Sequence, residues 1–465
     1  MNMRSSQFSM LARPQPMALA GKRVLVLGLG DTGLSVANWV VHEGGQVRVA
    51  DSRAAPPRKK DFSGELHSGE FKISLLKDVD LVCISPGLSL HEELVQAALT
   101  KNIPVVGDIE LFAWAVRGKV LAVTGTNGKS TVCALTGHLL RSAGVDCEVA
   151  GNISPPALAA LMKRGENPPA AWVLELSSYQ LETTWSLEPD AATLLNLSED
   201  HLDRYSGLAE YAQAKARIFA GKGAQVLNRC DSASMALATG RQMRDRVQIT
   251  FGLDAPPMPE DFGIARFEGR DWLARGGERF LAVAELPLTG AHNASNALAA
   301  CALAHSAAVP LAALAQGLRS FRGLPHRMQR VALRGGVEWL DDSKGTNVGA
   351  TVAALNGLSK KAVLILGGEG KGQNFAPLVP AIRAHAKVVL LIGRDAALIE
   401  KAIAPGGVPL ERIESMEKAV VRAAQIAAAG DAVLLSPACA SFDMFRDYKH
   451  RGEVFAAAVM KELKA

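Results

Sequence analysis

The sequence predicts an α/β protein of three domains with mostly parallel sheets. Three observations carry this. The chain has 465 residues, too many for one ordinary domain. Apolar runs of strand length recur, and many end on glycine or serine. Segments of helical spacing separate them, the alternation of a doubly wound layer.

The first stretch starts at the run Arg23 to Gly28 and ends near Gly107, with further short strands at Val47 to Ala50 and Leu81 to Ser85. Residues 1–20 hold Arg4, Ser5, Ser6, Gln7, Arg13, Pro14 and Pro16 and no continuous apolar segment. They read as a poorly ordered extension, not a secretory signal. The second stretch, 108–323, has strands at Val120 to Val123, Trp172 to Leu176 and Ala192 to Asn196, and helical spacing from Asn293 to Ala308. Three prolines mark Asp254 to Asp261 as a loop. The third stretch, 324–465, has strands at Ala362 to Gly367, Val388 to Gly393 and Ala432 to Ser436. The domain division expected is thus 1–107, 108–323 and 324–465, the outer two Rossmann-like and the central one P-loop ATPase-like.

Composition narrows the function classes. No apolar run approaches the ~18–20 residues that cross a bilayer. Six scattered cysteines without Cys-x-x-Cys spacing fit a reduced cytoplasm better than a disulfide framework. A net charge of +5, short basic clusters such as Arg58-Lys59-Lys60 and 5% aromatics leave nucleic-acid binding unsupported. The charge suits small anionic ligands.

The most informative segment is Gly125, Thr126, Asn127, Gly128, Lys129, Ser130 and Thr131, between the strand ending at Val123 and a helix from Val132 to Leu140. A strand, a glycine loop and Lys-Ser-Thr opening a helix make a phosphate cradle. Backbone N–H groups and the helix dipole face the anion, Lys129 adds a charge, and a hydroxyl can hold Mg²⁺. The general P-loop pattern has glycine where Val123 stands.

Gly28-Leu29-Gly30-Asp31-Thr32-Gly33 follows a strand, and Asp51 ends the next. Alone this is a dinucleotide fingerprint, with Asp51 on a ribose hydroxyl. An NAD-dependent oxidoreductase would follow, but it leaves the Gly128-Lys129-Ser130-Thr131 loop unused. The domain is read as holding a diphosphate-linked nucleotide that is not reduced, against a plain βα turn without ligand.

Further polar groups stand at strand ends of the middle stretch. Asn152 lies in a turn, Glu175 ends a strand, and Gln180 follows it. A carboxylate beside a phosphate loop suits Mg²⁺. His201 follows the next strand, and Lys215 lies on a helix expected over Ala209 to Phe219. Each could be structural alone; together they point to a site.

These segments resemble the Mur ligase family, ATP-dependent amide-forming enzymes of peptidoglycan precursor assembly. The resemblance rests on Gly125 to Thr131, in which Val123 is no defect. It rests also on Asp51-Ser52-Arg53, Glu199 to Tyr205, Asp341 to Asn347 and Leu435 to Asp443. It spans nearly all the chain after the extension, and the last segments favour the branch that adds D-glutamate to UDP-N-acetylmuramoyl-L-alanine. Other branches, or a folylpolyglutamate synthase-like ligase, share the phosphate chemistry.

The resemblance implies site residues. Asp31, Thr32, Asp51, Ser52, Arg53 and Gly87 would hold the UDP portion, and Asn152, Gln180 and His201 the sugar–alanine end. Residues Gly125 to Thr131, Asn293, Asn296, Arg327, Asp342 and Lys344 would serve ATP, with Lys129 on the γ-phosphate. Thr346, Lys371, Ser441 and Tyr448 would receive D-glutamate. Ser130 and Glu175 would bind one Mg²⁺, and Glu175, His201 and a carbamylated Lys215 a second. Lys129, Glu175, His201, Lys215 and Lys344 would carry the catalysis. Three substrates on three domains imply domain closure, with hinges near 107 and 323. A cytoplasmic monomer is expected, with no membrane partner.

Overall fold

The structure is a computed structural model. It describes residues 13–200, 204–238, 246–288 and 290–463. The chain separates into two compact units. The first runs up to Gly263 and adds Arg275–Glu278 and Ala299–Gly317; the second holds Ile264–Ala274, Arg279–Leu298 and Leu318–Ala465.

The first unit begins with a five-stranded, all-parallel sheet. Its strands β1 (Arg23–Leu27), β2 (Gln46–Asp51), β3 (Glu65–Ser68), β4 (Leu81–Ile84) and β5 (Val105–Val106) are ordered β3-β2-β1-β4-β5. β1 reads Arg-Val-Leu-Val-Leu, and four of its five residues are buried. Continuous rather than alternating apolar sequence is what a sheet covered on both faces demands.

The central sheet carries β6 (Lys119–Thr124), β7 (Cys147–Gly151), β8 (Ala171–Glu175), β9 (Ala191–Leu194), β10 (Ala224–Asn228) and β11 (Gln248–Phe251) in parallel, ordered β11-β10-β9-β6-β8-β7. Beyond β11 the sheet adds β12 (Phe262–Phe267), β13 (Arg270–Arg275) and β14 (Glu278–Ala282). The division between the two units falls in this extension. Residues Asp254 to Asp261 form the loop before β12.

One apolar cluster serves both sheets of the first unit. It contains Val24, Val26 and Trp39 from the N-terminal sheet and its helix, and Ala122, Trp172 and Leu174 from the central sheet. Ile109, Leu111 and Phe112 of the connecting helix Asp108–Ala115 lie in it too, with Phe112 edge-on to Trp172 at 5.2 Å. Burying a side chain of this size is worth about 1.5–3 kcal/mol. Gly107 therefore ends a sheet without ending a compact unit. Leu19 is buried in the same cluster with Met17 against it, so residues 17–19 join the core before β1.

The second unit holds a six-stranded sheet of β15 (Gln329–Arg334), β16 (Val337–Asp341), β17 (Ala362–Gly367), β18 (Ala386–Ile392), β19 (Leu410–Arg412) and β20 (Ala432–Leu435). Its order is β15-β16-β20-β17-β18-β19, parallel except for the β15–β16 pair. Separate apolar clusters cover its faces, one around Leu364 and Leu434, the other around Val363 and Val433. Ser and Asp caps start its helices Met416–Ile426 and Tyr448–Glu462, where Ser415 and Asp447 accept from Lys418 N and His450 N.

The helix expected over 209–219 runs Leu208–Ala216 and tightens into a 3₁₀ turn, Arg217–Phe219. The six cysteines are unpaired, and only Cys230 is exposed. Among the described residues no helix is long and apolar enough to cross a membrane.

Candidate functional site

The phosphate loop leaves β6 at the switch point of the central sheet. β6 pairs with β8 on one side and with β9 on the other, and the register sets Gly151, Glu175 and Val123 side by side across β7, β8 and β6. Ligands of parallel α/β sheets sit outside such carboxyl ends. Gly125 and Gly128 have φ of +148° and +86°, so the loop needs glycine at both places. Gly128 caps the helix Lys129–Ser142, which places Lys129, Ser130 and Thr131 in its first turn. Lys129 Nζ donates to Gly125 O at 2.7 Å and Thr126 O at 2.9 Å.

Asn196 braces the loop, a role the sequence does not reveal. Its carbonyl oxygens accept from Thr126 N and Asn127 N, and its amide donates to Asn127 O. Only the pairing of β6 with β9 brings it there.

Glu175 is buried. Its Oε1 accepts from Asn152 Nδ2 at 2.8 Å, and its Oε2 is buried with no hydrogen-bond partner among the described residues. An unpaired buried carboxylate oxygen is costly unless something else meets it. A hard cation would do so, and the Ser130 hydroxyl is a second oxygen donor on the neighbouring element. The described residues gather no trio of His, Cys, Asp or Glu side chains suited to a metal. Mg²⁺ takes one or two carboxylates plus phosphates and water rather than a protein cage. His201 lies outside the described residues.

Lys215 is 1% exposed. Its Nζ donates to Gly125 O at 2.9 Å and Thr124 Oγ1 at 3.3 Å, and lies 4.6 Å above the Tyr211 ring. Burial, and then the charge of Lys129, hold its pKa well below the ordinary lysine range. The structure thus brings Lys215, Lys129 and the loop carbonyl of Gly125 together.

Gln180 is buried at the short helix Ser178–Glu182. Its side chain closes a capping box with Ser177 and donates to Asp108 Oδ2 at 3.0 Å. Both ends of its amide already have protein partners. Asp108 has its pKa raised to about 6, chiefly by burial.

In the N-terminal sheet, the three fingerprint glycines differ. A Cβ on Gly28 would strike Ser85, and one on Gly33 would overlap Gly28 O, whereas Gly30 faces open space. Packing therefore explains two of them, and only Gly30 is spare for close approach of a ligand. Asp51 is buried and accepts from Leu29 N at 2.6 Å, Arg53 N at 2.9 Å and the Arg53 guanidinium. Burial pushes its pKa up, but Arg53 and the backbone donors outweigh this and hold it low. Asp31 is exposed and pairs with Arg58 at 3.4 Å. Asp31 and Thr32 open the helix Asp31–His42, Ser52 and Arg53 follow β2, and exposed Gly87 follows β4. Those ends flank β1, where the strand order reverses.

In the second unit, two turns are stitched together. Asp342 accepts from Met328 N at 3.2 Å and Ser436 Oγ at 2.8 Å, and Lys344 N donates to His326 O at 3.1 Å. His326 and Met328, flanking Arg327, have φ of +61° and +49°. Such strain in non-glycine residues collects at functional turns. Asp342 has its pKa raised to about 7, first by burial. Lys344 Nζ lies 3.9 Å above the Tyr448 ring, and Lys371 Nζ 5.7 Å from that of Phe442, beside buried Ser441. Thr346 N donates to Lys344 O. Asn293 and Asn296 share one helix face, their amides 3.4 Å apart.

Gln373 and Arg451 hold these loops and escape a sequence reading. Gln373 accepts from Val348 N and donates to Gly370 O and Ala438 O. Buried Arg451 donates to Ser343 Oγ, Ser343 O and Cys439 O. Neither has a clear local signal, because Val348 and Ala438 lie 25 and 65 positions from Gln373, and Ser343 lies 108 from Arg451.

Three mostly parallel α/β sheets with a phosphate loop at the central switch point define a nucleotide-phosphate-binding protein. Comparison with known families matches three models: a Mur ligase MurD-like N-terminal domain at 22–107, a Mur ligase middle domain at 123–304 and a Mur ligase glutamate ligase domain at 326–439. A UDP-N-acetylmuramoylalanine--D-glutamate ligase of Nitrosospira multiformis is 54% identical over 458 residues, covering 95% of this chain and 96% of the relative. The protein of the same name from Methylobacillus flagellatus is 52% identical over 450 residues, covering 95% and 98%. The crystal structure of UDP-N-acetylmuramate-alanine ligase MurC from Thermotoga maritima shares the fold at 20% identity, with a TM-score of 0.61 over 94% of this chain and 99% of that one. The chain belongs to the Mur ligase family.

Proposed function

We infer that this chain is an ATP-dependent ligase that joins D-glutamate to UDP-N-acetylmuramoyl-L-alanine, giving an amide, ADP and phosphate in peptidoglycan precursor synthesis. Relatives at 54% and 52% identity over nearly the whole chain bear the name of that activity. The observation that carries the chemistry is the buried Glu175 Oε2 beside the phosphate loop, which has no hydrogen-bond partner among the described residues.

A carboxylate repels an amine until its oxygen becomes a leaving group. Transfer of the γ-phosphoryl group of ATP makes an acyl phosphate. The amine of glutamate then attacks, and the tetrahedral intermediate expels phosphate. Lys129 and the loop N–H groups offset the phosphate charge. Ser130 and Glu175 would hold Mg²⁺, which when bound neutralises the crowded oxygens. Asn152 orients Glu175 through its amide. His201 and Lys344 are proposed to stabilise the tetrahedral intermediate.

A second ion on Glu175, His201 and a carbamate of Lys215 is proposed. A buried amine that adds CO₂ exchanges a cation, which Mg²⁺ repels, for an anion that suits it. Lys215→Ala should abolish activity, and bicarbonate or a short carboxylate should partly restore it. Full activity in the alanine variant would end that idea.

Asp31, Thr32, Asp51, Ser52, Arg53 and Gly87 are proposed for the UDP portion, with Asn152, Gln180 and His201 for the sugar–alanine end. Asn293, Asn296, Arg327, Asp342 and Lys344 are proposed for ATP, and Thr346, Lys371, Ser441 and Tyr448 for D-glutamate. The division into domains at 107 and 323, a monomeric state and a cytoplasmic location are proposed too. Unpaired cysteines support the location.

The direct test is phosphate release with ATP, Mg²⁺, UDP-N-acetylmuramoyl-L-alanine and a panel of amino acids. Release that depends on D-glutamate is expected. No release with any amino acid would refute the reading.

A further inference from the structure

Arg204 joins the two sheets of the first unit at their working ends. Its Nη1 donates to Pro86 O at 3.2 Å and Leu88 O at 2.8 Å, the carbonyls on either side of Gly87. Its Nη2 donates to Glu182 Oε2 at 2.5 Å, and the guanidinium lies 4.3 Å from the Tyr179 ring centre. The other oxygen of Glu182 accepts from the Tyr205 hydroxyl. Arg204 and Glu182 side chains are only 14% and 5% exposed, so this pair is weakly screened. Glu182 and Tyr179 belong to the helix Ser178–Glu182, three residues after Glu175. One planar cation thus spans the loop after β4 and the segment that follows the carboxylate of the phosphate site.

The loop keeps its own shape without Arg204. Ser85 N donates to Leu27 O, Ser85 Oγ to Gly28 O and Leu88 N to Ser85 O, all within the N-terminal sheet. The shared core and Glu110, which accepts from Trp185 N, Ser186 N and Ser186 Oγ, keep the unit folded. What Arg204 adds is the spacing between loop and helix.

We propose that Arg204 is a positioning residue that fixes the distance between the nucleotide loop at Gly87 and the carboxyl-activating centre at Glu175. It thereby tunes the protein to a nucleotide-diphosphate sugar whose acyl end must reach from one to the other. This rests on the ligase reading above. A carboxyl misplaced by about 1 Å costs about 10²-fold in rate.

The charge-balanced variant R204M/E182Q removes the span without leaving a lone buried charge. Calorimetry with UDP alone and steady-state kinetics with UDP-N-acetylmuramoyl-L-alanine and ATP separate nucleotide binding from reach. The expected result is unchanged UDP affinity and ATP KM, with kcat/KM for the full substrate lowered about 10²-fold. R204K, which keeps the Glu182 pair but cannot reach both carbonyls, should fall between. It carries the same comparison if the double variant does not fold. Unchanged kcat/KM overturns the proposal. So does a loss of UDP affinity equal to the loss in kcat/KM, since Arg204 would then merely support the nucleotide loop. If the ligase reading itself fails, the wild-type protein releases no phosphate; if only this inference fails, the wild type remains active.

Discussion

Glu110 is fully buried in the helix that joins the first two sheets, and its carboxylate accepts four hydrogen bonds. Oε2 takes Trp185 N at 2.6 Å and Ser186 N at 2.9 Å; Oε1 takes Ser186 Oγ at 2.6 Å and Trp114 Nε1 at 2.9 Å. In Glu110→Ala the serine hydroxyl can rotate away, but the two backbone donors cannot. An unsatisfied buried donor costs about 1–3 kcal/mol, so the two amides alone cost about 2–6 kcal/mol. Loss of a buried charge returns part of this, which leaves a net destabilisation of about 2–5 kcal/mol. Glu110→Gln keeps one oxygen for the two amides and strands the indole N–H, for about 1–3 kcal/mol. Urea unfolding read by tryptophan fluorescence tests this. Trp114 and Trp185 lie at the altered site and report on the first unit. An alanine variant within about 1 kcal/mol of wild type would refute the hydrogen-bond reasoning. Glu285→Ala is the control: that carboxylate pairs with Arg319 on the surface and should leave stability unchanged.

Gly30→Ala should melt like the wild type yet bind UDP more weakly, because a Cβ there meets no atom of the described residues; Gly33→Ala should fold poorly, because its Cβ would overlap Gly28 O. Thermal melting and UDP calorimetry on both variants check the pair, and a Gly33→Ala protein as stable as wild type would contradict the packing argument. Asn152→Leu removes the donor to Glu175 Oε1 and should weaken apparent Mg²⁺ affinity about 10- to 100-fold in the phosphate-release assay. Unchanged magnesium dependence would separate Asn152 from the metal. Burial pushes the Asp342 carboxyl up to about 7 in the folded protein, from an ordinary value of 3.8. The native state therefore binds more protons than the unfolded chain in that window, and this residue's contribution to stability declines as pH rises from about 4 to about 7. Unfolding free energies of wild type and Asp342→Asn should shift in favour of the variant between those limits, and a constant difference would argue against burial as the cause.

The phosphate loop was legible in the sequence because its parts are contiguous: strand, glycines and helix start all lie within Val120 to Leu140. The parallel α/β class was legible for a similar reason, since a doubly covered strand must be apolar throughout. The fingerprint at Gly28 to Gly33 was visible, but its meaning was not. Gly28 and Gly33 answer to packing, and of the three only Gly30 is spare. A new strand run marks a break near Gly107 in the sequence, while the burial of Ile109, Leu111 and Phe112 in a core common to both sheets is visible only in the fold. Sequence by itself determined the elements and the chemistry each carries, because backbone hydrogen bonding and side-chain periodicity act over a few residues. Tertiary structure alone decided that Arg204 meets Leu88, 116 positions away, and that Glu110 meets Trp185, 75 positions away. Contacts across such separations leave no local pattern, since they arise only when packing of apolar faces brings distant strand ends together.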